Sequence, residues 1–115
     1  MPFPPPKDHR IDLDAASKLT RRFREAHPGA VKASLFPNDV FLQLLGNKQG
    51  AGIRIYYGAD EKGNITPVLC SVDANGNDLL PGAAKGEGEG EGNELMEFGY
   101  PCPIYCGDGN SLNGE

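Results

Sequence analysis

The chain has 115 residues, with 11 basic and 16 acidic side chains, a formal net charge of −5, 16 glycines, 10 prolines and no tryptophan. That length allows one domain with one small core, and the acidic balance disfavours general binding to phosphate backbones, which takes clustered Lys and Arg. No apolar run is long enough to span a bilayer, no apolar leader opens the chain, and an odd number of cysteines, 3, argues against a fully paired secreted scaffold; a soluble cytoplasmic protein is expected, the alternative being one whose leader has been removed.

The charge is unevenly spread. Residues 1–34 carry seven basic and four acidic side chains, and residues 35–115 carry four and twelve. Residues 1–10 read as an extended arm, because Pro2, Pro4, Pro5 and Pro6 favour polyproline II, which makes no internal hydrogen bonds. Pro2, Pro5 and Lys7 also fit the spacing of an SH3 ligand, although a solvated arm is the simpler reading. From Asp12 to His27 the apolar period becomes helical: Ala16, Leu19, Phe23 and Ala26 form one narrow stripe. Asp12 or Asp14 can cap this helix, and His27-Pro28-Gly29 stops it. Lys18, Arg21, Arg22 and Arg24 occupy much of its remaining surface, where they solvate the helix and suit its C-terminal half.

Residues 30–36 alternate, with Val31, Ala33 and Leu35 on one side, and predict a short strand. A second helix is expected at 38–45, capped by Asn38 and closed by Gly46 in the C′ position. Val40, Phe41, Leu44 and Leu45 give it the pattern of a helix packed on a sheet. Residues 52–73 then predict a β-hairpin. Ile53, Ile55 and Tyr57 point one way, Arg54 and Tyr56 the other, and Asp60 to Asn64 form the turn. Setting Ile55 opposite Val68 and Ile53 opposite Cys70 would gather the apolar side chains on one face. Pro67, lacking an amide donor, belongs at the strand's start or facing away from its partner.

Asp73 to Asp78 superficially matches a calcium loop, but the sixth position is Asp78 rather than glycine and the twelfth is Ala84 rather than glutamate; a turn around Asn75-Gly76 is the better reading. Residues 82–93 are a Gly/Glu run that reads as a flexible, self-repelling acidic loop. Leu95, Met96 and Phe98 restore apolar character in keeping with a third edge strand, and 107–115 read as a polar tail.

Pro101 to Cys106 is the segment with chemical content. Cys102 and Cys106 are separated by three residues, not the two of a thioredoxin-like pair, and no amphipathic helix follows to lower a thiol's pKa. A disulfide between them is sterically conceivable. Zinc would need further ligands from Cys70, His9 or His27, at a spacing that matches no finger, ribbon or knuckle. The plainer reading is a clasp in which Ile104 and Tyr105 cover a sheet edge and Tyr100-Pro101 or Cys102-Pro103 is cis. Nucleophilic catalysis finds no support, since Ser17, Ser34 and Ser71 lack any paired His/Asp signature. Phosphate-cradling loops are absent too.

Val31-Lys-Ala33, Leu44-Leu45, Gly52-Ile-Arg-Ile-Tyr-Tyr-Gly58, Val72-Asp-Ala-Asn-Gly-Asn-Asp78 and Pro101-Cys-Pro-x-x-Cys106 occur in this order. The series resembles a family of small, uncharacterised bacterial proteins with a helical N-terminal half, a central hairpin and a late Cys-Pro pair. The resemblance covers roughly residues 30–110 and implies no activity. Where that family has a Pro-Cys turn between helix and hairpin, this chain has Lys48-Gln49-Gly50-Ala51.

The expectation is an α+β domain over 11–106: two N-terminal helices packed on a small antiparallel sheet, followed by an irregular Gly/Glu-rich C-terminal part. Its function reads as a non-enzymatic interaction or accessory module with an unknown protein partner, no bound cofactor, and a monomeric or weakly dimeric state. Arg54, Tyr56, Tyr100 and Tyr105 are the contact candidates, since exposed Tyr and Arg are enriched at hot spots; Tyr56 could equally pack beneath the first helix. The alternative is a thiol, disulfide or zinc site at Cys102 and Cys106.

Overall fold

The computed structural model describes residues 3–82 and 93–115. The expected acidic loop, apart from its two end residues, lies outside them. The elements run α1 (Leu13–Ala26), β1 (Ala33–Leu35), α2 (Asn38–Leu45), β2 (Gly52–Ala59), β3 (Ile65–Val72), β4 (Leu95–Met96) and β5 (Tyr100–Cys102). Two helices and antiparallel sheets make this an α+β protein. One sheet has the order β2-β3-β4 and the other pairs β1 with β5.

Local chemistry accounts for most boundaries. Asp12 caps α1 by accepting from the Ala15 amide at 2.7 Å, His27 is the C-cap, and Gly29 follows with φ +79°. In α2 the cap differs from expectation. Pro37 is the N-cap with no side-chain bond, Asn38 is already helical, and Gly46 closes the helix in ordinary right-handed geometry. Proline serves this position because it has no amide to satisfy and holds extended backbone.

The hairpin occupies the expected residues in a different register. Ile55 faces Leu69, Ile53 faces Ser71, Arg54 faces Cys70 and Tyr56 faces Val68. The turn is the reason. The Asp60 amide donates to the Asn64 carbonyl and the Gly63 amide to the Asp60 carbonyl, both at 2.9 Å, with Gly63 at φ +86°. This five-residue closure, a type I turn with a left-handed glycine, moves every pair by one. Alternation on β2 is as expected, but Val68, Cys70 and Val72 therefore share a face with Arg54 and Tyr56, not with the isoleucines.

Both faces of β3 are covered at its C-terminal end, where Leu69, Cys70, Ser71 and Val72 are all buried. Alternating polarity carries little information for a strand covered on both sides. On one face the Ser71 hydroxyl donates to the Leu44 carbonyl of α2 at 2.9 Å. On the other, Phe3 of the proline-rich arm lies over Gly52: a Cβ there would meet Phe3 Cζ at 3.1 Å and Val72 Cγ2 at 3.5 Å. A second turn of the same design, Asp73 to Asn77 with Gly76 at φ +82°, brings Leu79 back to donate its amide to the Ser71 carbonyl at 2.9 Å. β4 continues that edge opposite Leu69 and Cys70, so Pro67 lies beyond its reach, as a residue without an amide requires.

The helices carry less core than their patterns imply. In α2 only Leu44 is fully buried, while Leu45 and Phe41 are exposed. In α1 no residue is fully buried. The Cα radius of gyration is 16.5 Å, against about 13 Å for a compact chain of this length. Apolar surface is left open, chiefly between α1 and the hairpin.

Candidate functional site

Among the described residues, three side-chain clusters and one larger groove stand out. The first cluster joins Arg54, Tyr56, Cys70 and Asp78 on the face of the hairpin away from α2. Arg54 Nη1 donates to Asp78 Oδ1 at 2.5 Å and Nη2 to the Gly76 carbonyl at 3.1 Å. The Tyr56 hydroxyl donates to Asp78 Oδ2. Tyr56, helped by Arg54, holds the Asp78 carboxyl below its ordinary range against the opposing effect of partial burial. Asp78 in turn pushes the Tyr56 phenol up. Cys70 beside them is a free, buried thiol, pushed up by burial and then by the Asp78 carboxylate. A thiol held protonated is a poor nucleophile. Two of the four expected contact residues, Arg54 and Tyr56, are thus brought together, and they direct their polar groups inward to Asp78.

The second cluster is the clasp. Tyr100 and Tyr105 meet edge to face with ring centroids 5.1 Å apart, on a different sheet from Arg54 and Tyr56. Cys102 and Cys106 are joined as a disulfide with Cα atoms 4.7 Å apart; Cys102 is buried and Cys106 half-buried. The Cys102–Pro103 and Pro103–Ile104 peptide bonds are cis. Ligand atoms of Cys102, Cys106 and Glu115 lie within 4.8 Å of one another. With the sulfurs bonded to each other neither is a thiolate, the form a metal requires, and the Glu115 carboxylate is already paired with Lys32 at 3.0 Å. Disulfide and metal site are mutually exclusive states of the same two sulfurs.

The third cluster is the segment after the clasp, expected as a polar tail. Asn110 and Asn113 staple it into a turn: Asn110 Oδ1 accepts from the Leu112 amide at 2.8 Å, and Asn113 Nδ2 donates to the Cys106 carbonyl at 3.2 Å. Ser17 of α1 donates to the Ser111 hydroxyl at 2.7 Å, and Arg24 Nη1 to the Leu112 carbonyl at 2.5 Å.

These contacts border a groove of about 510 Å³ between α1, β1 and the hairpin, lined by Leu19, Phe23, Val31, Tyr57, Ile65 and Pro67, with Arg24, Lys32 and Leu112 among its remaining residues. The volume falls in the range of ligand-binding clefts, roughly 300–1,000 Å³. Tyr57 projects from the hairpin face that also carries α2, yet it is 87 % exposed. Alternation put Tyr57 on one face with Ile53 and Ile55, as observed, but it tells which face a side chain takes and not whether anything covers that face. Leu112 was missed for another reason: one aliphatic residue among Asn, Gly and Ser carries no periodicity.

The fold and its groove define a small α+β hairpin domain with an open apolar cleft. No family model, no curated protein and no solved structure matches the chain. No helix among the described residues is long and apolar enough to cross a membrane.

Proposed function

We propose that the protein is a non-enzymatic interaction module that binds a protein partner in the groove between α1 and the hairpin. One observation carries this reading: α1 presents its amphipathic stripe, Leu19 and Phe23, across about 510 Å³ of open space to Tyr57, Ile65 and Pro67. Apolar surface on both walls of a cleft lowers the free energy when a partner excludes water from it. The acidic net charge favours protein over nucleic acid as that partner. Tyr100 and Tyr105 are a second contact candidate, as an exposed aromatic pair. Arg54 and Tyr56 serve chiefly to hold Asp78 and the second turn. The resemblance of the motif series to small uncharacterised bacterial proteins assigns no activity.

A photo-crosslinking side chain, p-benzoylphenylalanine, in place of Tyr57 tests the reading in cells. The expected result is a discrete protein adduct that Leu19→Glu abolishes. Adducts from position 100 or 105 but none from position 57 would move the contact surface to the clasp, and no adduct at any of the three would overturn the proposal.

The thiol reading rests on a separate observation, the bonded Cys102 and Cys106. Cys106 is the more accessible sulfur and so the one that an external thiolate would attack. Zinc is compatible with these residues only after reduction.

A further inference from the structure

Among the described residues, the basic side chains lining the groove are Arg24 and Lys32 and no acidic one joins them; both are engaged by the same short segment. Arg24 Nη1 donates to the Leu112 carbonyl at 2.5 Å. Lys32 Nζ, on a side chain only 18 % exposed, pairs with the Glu115 carboxylate at 3.0 Å. Leu112 is one of the lining residues and remains 42 % exposed. Gly114 sits at φ +74° close against the Arg24 guanidinium, a left-handed backbone conformation that favours glycine there. An aliphatic residue whose carbonyl is held by Arg24 and a carboxylate three residues later on Lys32 thus lie together at one edge of the cleft.

We propose that the groove recognises an acidic peptide segment of a partner protein, bearing an aliphatic side chain about three residues before a carboxylate, and that residues 111–115 are an intramolecular competitor for that site. The proposal rests on the interaction-module reading and supplies its partner chemistry. Charge complementarity favours that ligand: two cations at the border of a largely apolar cleft select an apolar segment carrying negative charge, and the chain's own Glu115 carboxylate is seated on one of them. A tethered occupant lowers apparent affinity because its effective concentration is high, on the order of millimolar for a short flexible connection. A partner that adds further apolar atoms in the unfilled cleft displaces it.

The probe is a fluorescein-labelled synthetic copy of residues 107–115, added to the full chain and followed by fluorescence anisotropy. A full-length variant carrying Leu112→Ala and Glu115→Gln, whose own segment is unseated, is expected to bind the probe about tenfold more tightly than the unsubstituted chain. Gly114→Ala, which strains the left-handed backbone at φ +74° and so weakens the segment's seating, is expected to act in the same direction. Arg24→Gln with Lys32→Gln, or Tyr57→Ser, is expected to abolish binding, as are probes with alanine for the leucine or glutamine for the glutamate. Circular dichroism on each variant separates loss of the site from loss of the fold. Equal binding by unsubstituted and unseated chains, or equal binding of the control probes, would overturn the proposal. If the adduct at position 57 forms while the unseated chain ignores the probe, this partner chemistry is wrong and the interaction-module reading stands.

Discussion

Ser71 shows how one hydroxyl joins sequence to packing. It is the buried polar side chain among the described residues, 3 % exposed, and its bond to the Leu44 carbonyl fixes α2 on β3. The Leu44 carbonyl also accepts from the Asn47 amide at 3.3 Å, so Ser71→Ala is expected to cost about 0.5–1.5 kcal/mol, the net worth of one hydrogen bond, read as a lower urea midpoint without a change in slope. A midpoint within error of the unsubstituted protein would show that water replaces the hydroxyl. Asp78 makes a pH-dependent case. Its folded pKa is depressed, chiefly by Tyr56, so its contribution is present above the unfolded value, about 3.9, and fades as pH falls through the folded pKa. Tyr56 is raised, so its contribution holds below about 10 and fades as pH climbs through its folded pKa. Denaturation midpoints across pH are expected to show Asp78→Asn less stable near neutrality and converging with the unsubstituted protein in acid. Parallel pH profiles would remove Asp78 from the account.

The hairpin is where element-level reasoning met its limit. Strand positions, alternation and the turn residues were all legible, because Gly, Asn and Asp punctuate the chain at 60–64 and 73–77. Register was not, because it depends on one extra residue held by the left-handed Gly63. Asp60 and Asp73 each accept from the backbone amides two and four residues ahead, all at 2.9 Å, so the two turns share one design. Gly63→Ala and Gly76→Ala are each expected to destabilise by about 1–2 kcal/mol, the cost of the left-handed region to a side chain, while Gly63→Asn should cost less because asparagine visits that region readily. Chemical denaturation of the three variants decides this; an alanine at 63 or 76 with unchanged stability would mean the turn rearranges. At Gly76 the effect should extend to Arg54, which donates to that residue's carbonyl.

Over the whole molecule, the described residues provide a core of few members: Leu44, Leu69, Cys70, Val72, Leu79 and Cys102. A small core makes cross-links matter, and the clasp supplies one. A thiol assay checks it. The native protein without reductant is expected to show slow reaction at Cys70 alone, one thiol after unfolding and all 3 after reduction. Three thiols in the unreduced, unfolded protein would mean the pair is open and would reinstate the metal reading for Cys102 and Cys106. The same thinness of core explains why α1 stands partly unpartnered: its single apolar stripe has the hairpin's Tyr57 end opposite it, and too few apolar side chains between them to close the gap.

Local order was readable from the sequence alone, because it depends on neighbours along the chain. The α1 stripe with its Asp12 cap, the position of α2, the hairpin residues and both glycine turns follow from periodicity and backbone preference, and so does the opposition of Arg54 and Tyr56 to Ile53, Ile55 and Tyr57. The tertiary structure alone decided what covers each face. It buried both sides of β3, turned Arg54 and Tyr56 toward Asp78, joined Cys102 to Cys106, left Tyr57 exposed and seated Leu112 and Glu115 beside Arg24 and Lys32. Those outcomes depend on contacts between residues as much as 94 positions apart, such as Ser17 and Ser111. No local pattern encodes such contacts, because burial is a property of the assembled surface and not of the segment.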